Sequence, residues 1–204
     1  VPGHPELMPQ LQHLHGAFQS LLQARQRRGA VDFDTVETQI VCDEAGQVLR
    51  IEPRPRNDAH RLIEECMLAA NVCCADFVRQ HKGAAALYRV HEPPVAEKVE
   101  ALRAYLQALD VKVSVGDDPT PQVFQQIAQA TRDRPDAEQI QMQLLRTMSQ
   151  AVYKPQNQGH FGLAYDAYMH FTSPIRRYPD LLAHRVIKAL LAERNYKLPD
   201  LPEA

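Results

Sequence analysis

Proline decides where helices can begin in this chain. Fifteen of the 204 residues are proline. Inside a helix a proline removes a backbone donor and clashes with the carbonyl four residues earlier, whereas at the first helical position the missing N–H is no loss. Pro53 and Pro55 therefore break the chain before a long apolar segment. Pro93-Pro94 end a short extended piece, and Pro121, Pro135 and Pro174 mark helix starts.

Hydrophobic spacing fills the intervals. Leu7, Leu11, Leu14, Phe18, Leu21 and Leu22 recur at three- and four-residue steps, which predicts an amphipathic helix over residues 5–28, stopped by Gly29. Its basic end, Arg25 to Arg28, suits a helix C-terminus. Residues 37–42 and 47–51 flank Asp43-Glu44-Ala45-Gly46 as a β-hairpin. Asn57 or Asp58 caps a long helix reaching about residue 80, apolar on most sides and expected to be central. A short extended piece covers 86–91, and helices are expected over 95–109, 121–130, 135–150 and from 174 to about 194, with irregular chain over 150–173. No internal repeat occurs. The expected class is α+β, mainly helical, with a small antiparallel sheet element.

No run of 18 apolar residues is present, so no transmembrane helix and no membrane partner are expected. Lys and Arg number 23 against 25 Asp and Glu, a net charge of −2, so any polyanion site must be local. Cys42, Cys66, Cys73 and Cys74 contain no C-x-x-C pair and read as reduced core residues of a cytosolic protein. The histidines lack H-x-x-x-H spacing. The missing initial Met and the acidic, proline-containing end are expected of a piece of a longer chain.

The chemistry concentrates in His170-Phe171-Thr172-Ser173-Pro174-Ile175-Arg176-Arg177-Tyr178-Pro179-Asp180 and on to Arg185. Ser173 before Pro174 reads as N-cap and first helical residue, placing Arg176 and Arg177 in a first turn whose macrodipole disfavours cations. A bound anion would remove that conflict, and hydroxyls, backbone N–H groups and a guanidinium make a phosphate site. The competing reading pairs Asp180 with Arg176 and leaves Arg177 solvated. Ile175, Tyr178, Leu182, Val186 and Leu190 form the expected core stripe, and His184 reads equally as a structural histidine. On the preceding long helix, Glu64 and Asn71 are polar residues in an apolar setting. They serve a ligand hydroxyl, or they pair with each other and with arginines of the last helix. Phosphate-loop, dinucleotide and nucleophile-elbow motifs are absent, and no aspartate cluster could hold paired magnesium ions. Asp117-Asp118 reads as a solvated turn. On these grounds alone the chain is a polyanion-binding module without a catalytic engine.

The run from His170 to Arg185 resembles the signature of the ribonuclease II/ribonuclease R family, the RNB catalytic domain, on its ribonuclease R side. Residues 56–71, 133–138, 144–148 and 160–163 agree in order. The resemblance implies processive 3′-to-5′ hydrolysis of single-stranded RNA to nucleoside 5′-monophosphates, with magnesium, in the cytoplasm. It implies that residues 1–204 are the C-terminal portion of that domain. The magnesium-binding aspartates, a tyrosine near the reacting phosphate, and the cold-shock and S1 domains would belong to the rest of the parent enzyme. Arg176 matches the catalytic arginine on the scissile phosphate. Glu64 matches a carboxylate that contacts a ribose hydroxyl. Phe33 falls near an aromatic that stacks on a base far from the cut, with a core position in the hairpin as its alternative. Thr172, Ser173, Arg177, His184 and Arg185 are carried over as RNA-backbone contacts. A non-catalytic RNA-binding module that keeps the phosphate-binding helix is the alternative, and this segment alone is expected to be inactive.

Overall fold

The computed structural model describes residues 3–32, 37–54 and 57–199. Among the described residues, a short 3-10 turn at Pro5–Leu7 leads into six α-helices and four short strands, which follow one another as α1 (Met8–Arg28), β1 (Glu37–Cys42), β2 (Val48–Arg54), α2 (Asp58–Gln80), β3 (Tyr88–Val90), α3 (Ala96–Ala108), α4 (Pro121–Ala130), α5 (Ala137–Thr147), β4 (Val152–Lys154) and α6 (Tyr178–Leu191). The α+β, mainly helical expectation holds. Gly29 ends α1 in the left-handed conformation, φ 80°, where a side chain would be strained and would also meet Gln122. Asn57 caps α2 through the His60 N–H, while the His60 ring accepts from the Asn57 N–H. The β1–β2 hairpin turns on Asp43, whose carboxylate accepts from the Ala45 and Gln47 N–H groups.

Two cores carry the packing. One gathers Val99, Leu102 and Leu106 of α3, Phe124 and Ile127 of α4, Ile140 and Leu144 of α5, and Phe161. The other joins Ala75 and Val78 of α2, Tyr88 and Val90 of β3, Ala167 and Met169, and Ala183 and Val186 of α6. The segment after β4 runs from the first core to the second. It is held by main-chain bonds from Phe161 N–H to His91 O, at 2.8 Å, and from Arg89 N–H to Tyr168 O, at 2.8 Å. β4 pairs antiparallel with β3 inside a stretch expected to be irregular.

Four expectations are corrected. α2 buries one stripe (Glu65, Leu68, Asn71, Ala75 and Val78) rather than most sides, because α1, α6, β3 and the 167–171 segment meet it along that stripe. The cysteines are not core residues: Cys42 and Cys73 are exposed, Cys66 and Cys74 half-buried. All four are unpaired thiols, and burial beside Cys73 pushes the Cys74 thiol up to about 11. Ile175 and Tyr178 of the expected core stripe are exposed, whereas its Leu182 and Val186 are buried, joined by Ala183. That helix also begins at Tyr178, not Pro174. A start at Pro174 would put Pro179 in the helix interior, costing a hydrogen bond and a steric clash; starting at Tyr178 keeps Pro179 in the first turn.

Candidate functional site

The four residues before α6 form a turn in which the Arg176 and Arg177 N–H groups both donate to Ser173 O, at 3.3 and 3.1 Å. Arg177 is the helix N-cap and Asp180 lies in the first turn, where a carboxylate is favoured by the dipole. The expected conflict between two arginines and the macrodipole therefore does not arise. A different arrangement takes its place. Asp180 is completely buried and accepts from the Ser173 N–H at 2.8 Å and from Arg177 Nη2 at 2.7 Å. The pairing is the reverse of the one weighed from the sequence: Arg177 is held, and Arg176 projects into solvent without a carboxylate partner among the described residues.

The far side of the turn is braced as well. His184 donates from Nε2 to Phe171 O at 2.9 Å, and its ring stacks on Phe171 with centroids 4.0 Å apart. Asn71 accepts from the Phe171 N–H and donates to the Tyr168 hydroxyl, both at 2.9 Å. Asn71 thus serves the chain, and its partners come from the 168–171 segment rather than from Glu64 or an arginine of α6. The Thr172 hydroxyl is buried without a hydrogen bond among the described residues. Arg185 is exposed one turn along α6 from Leu181.

Glu64 stands elsewhere in its surroundings than its sequence context implies. Its side chain is 40% exposed, and the buried acid of α2 is its neighbour Glu65, at 5%. Both face Arg25 of α1, whose Nη1 lies 2.8 Å from Glu65 and 3.4 Å from Glu64, while Nη2 lies 3.3 Å from Asp32. Burial alone would lower the Arg25 pKa, but the three carboxylates outweigh it and raise it. Arg25 was legible in the sequence only as a basic helix end. Seven residues after buried Phe18, it occupies the same helix face two turns on, which is the signal that marks it. Phe33 lies outside the described residues.

Beside the turn sits a polar group that sequence reasoning missed. The Tyr153 hydroxyl is 2.6 Å from His170 Nδ1, and the Arg89 guanidinium lies 4.6 Å over the Tyr153 ring. Burial and then Arg177, with smaller contributions from Arg89 and Arg176, bring the His170 pKa down to about 4 against the pull of Asp180. His160, half-buried against His91, is lowered to about 3 by desolvation and then by His91. Among the described residues no group of three or more His, Cys, Asp or Glu side chains could hold a metal ion. Asp180 is already committed to Ser173 and Arg177. The residues present do not fit a magnesium site.

An exposed guanidinium on a turn braced by a buried carboxylate is an arrangement suited to an anion. A family model described as the RNB domain matches residues 2–193, and the chain belongs to that family. The ribonuclease R of Vibrio cholerae is 50% identical over 194 residues, covering 95% of this chain and 24% of its own length. The chain spans about a quarter of the curated relatives it matches. Among solved structures, the apo form of Mycoplasma genitalium RNase R superposes with a TM-score of 0.83 at 32% identity, over 89% of this chain and 28% of that one. The same protein in complex with ribose-methylated single-stranded RNA gives 0.82 at 31%, over the same shares. Yeast Ssd1, described as a pseudonuclease, gives 0.62 at 26%, over 71% of this chain and 18% of that one.

Proposed function

We propose that this chain is the C-terminal portion of the catalytic domain of a ribonuclease R-type exoribonuclease, which shortens single-stranded RNA from its 3′ end and releases nucleoside 5′-monophosphates in the cytoplasm. The observation that carries the reading is Arg176, an exposed guanidinium on a turn made rigid by the buried Asp180. A guanidinium without a carboxylate partner is free to take a phosphodiester bidentately and to stabilise charge as the bond breaks. Thr172, Ser173, Arg177, His184 and Arg185 complete the proposed surface for the RNA backbone, and Phe33 is the proposed stacking residue. Magnesium would be bound by aspartates in the remainder of the parent polypeptide, which would also supply the cold-shock and S1 domains. Product analysis on a full-length polypeptide carrying this segment tests the reading. Mononucleotides released in order from a 5′-labelled oligoribonucleotide are expected, and internal cleavage would refute it.

The likeness to a pseudonuclease favours a second reading, an RNA-binding module without catalysis. It predicts binding with no product under any metal condition.

Glu64 is the proposed sugar reader. Its half-exposed carboxylate keeps one oxygen near Arg25 and can accept from a ribose 2′-OH. Because the group is not buried, the expected discrimination lies near the lower end of the usual range, about 1 kcal/mol. Glu64→Ala in the full-length protein is expected to narrow the RNA-to-DNA rate ratio roughly fivefold. An unchanged ratio with a lowered melting temperature would make Glu64 structural.

A further inference from the structure

Arg89, Tyr153 and His170 form a cluster to which the proposed function assigns nothing. They lie on β3, on β4 and at the end of the segment joining the two cores, so three separate pieces of backbone converge there. All three side chains are half-buried, which leaves each with an open side. The Tyr153 hydroxyl meets Nδ1 of His170, and Tyr168 packs edge-on against the imidazole with centroids 5.7 Å apart. Arg89 covers the Tyr153 ring and has no carboxylate partner among the described residues. The charged groups bearing on His170 are Arg89, Arg176 and Arg177 against Asp180 alone. Since Asp180 is occupied by Arg177, the half-buried Arg89 has no counter-charge among the described residues, and the exposed Arg176 adds a second positive charge bearing on the same imidazole. A half-buried cation without a counter-charge is costly unless an anion joins it.

We propose that Arg89, Tyr153 and His170 hold a second phosphodiester of the RNA, adjoining the one assigned to Arg176. Arg89 supplies the charge. Tyr153 donates to Nδ1 and so fixes the tautomer in which His170 donates through Nε2. The proposal rests on the RNA-backbone reading above and adds a contact to it.

Salt dependence tests it, because each phosphate neutralised on a single strand contributes a slope of about −0.7 to log K against log salt. Binding of a fluorescent single-stranded oligoribonucleotide to the 204-residue chain is measured over a salt series for Arg89→Gln, Arg89→Lys, His170→Gln and Arg176→Ala. Arg89→Gln is expected to weaken binding roughly tenfold or more and to flatten the slope by about 0.7. Arg89→Lys should keep the slope. His170→Gln, whose flexible amide loses the orientation that Tyr153 gives the ring, should weaken binding with the slope unchanged. If Arg176→Ala flattens the slope and Arg89→Gln does not, the second phosphate site is refuted and the exoribonuclease reading stands. If the unaltered chain does not bind the oligoribonucleotide, both fall. Should Arg89→Gln fold poorly, imidazole nitrogen NMR on the unaltered chain decides. A shift of the His170 Nε2 resonance on adding the oligoribonucleotide is expected, and a fixed resonance overturns the proposal.

Discussion

In a full-length polypeptide carrying this segment, Arg176→Ala lowers single-turnover cleavage of RNA by a factor of about 100 to 1,000, while binding weakens only modestly. The asymmetry follows from what the side chain can do. As one cationic contact among several along the strand, its loss removes a small share of the affinity. As a preorganised donor aimed at charge that develops when the bond breaks, its loss removes stabilisation that nothing else replaces. Arg176 is suited to this because its turn is fixed from behind, by two N–H bonds to Ser173 O and by the Asp180 carboxylate on the Ser173 N–H. Arg176→Lys should rescue poorly, since an ammonium cannot form the two parallel bonds of a guanidinium. Rates and dissociation constants measured on one oligoribonucleotide separate the two effects. Turnover near normal in the alanine variant would remove Arg176 from the chemistry.

Asp180→Ala has the largest expected effect on stability. The carboxylate is fully buried, and removing it leaves the Arg177 guanidinium, itself mostly buried, without its counter-charge and the Ser173 N–H without an acceptor. Breaking a buried pair in this way costs about 3–5 kcal/mol. For a chain of this size that corresponds to a fall in melting temperature of roughly 6–20 °C. Asp180→Asn keeps an acceptor for Ser173 while losing the charge, so it should fall between the two. Thermal unfolding of the isolated chain reads the result directly. An alanine variant that melts with the parent would show that the turn is held by other contacts.

Where a single residue type settles local geometry, the sequence could be read closely. Pro121 at a first helical position, Asn57 as a cap, Gly29 as a stop and Asp43 in a hairpin turn each sit where expected. The failures share a cause, which is dependence on a partner far along the chain. β4 is three residues long, too short for alternation to show, and exists through pairing with β3. Glu64 and Glu65 are adjacent, and which of them is buried depends on where α1 places Arg25. The start of α6 was within reach, since Pro179 rules out a helix begun at Pro174, but the Ser-Pro pair upstream is the stronger local signal. The Tyr153–His170 contact joins residues whose spacing carries no periodicity at all. The family motif and the physical argument both point to Arg176, but the physical argument had to change. The dipole conflict gave way to a buried carboxylate that holds one arginine and leaves the other exposed.

The central claim is that this segment carries a phosphate-binding part of an exoribonuclease and not its metal site. The most direct measurement incubates the purified 204-residue chain with a 5′-labelled single-stranded oligoribonucleotide, with magnesium and with chelator, beside a full-length polypeptide carrying the same segment. The account predicts that the segment binds the strand without shortening it in either condition, whereas the full-length protein degrades it only with magnesium. Magnesium-dependent release of mononucleotides by these residues alone would contradict it.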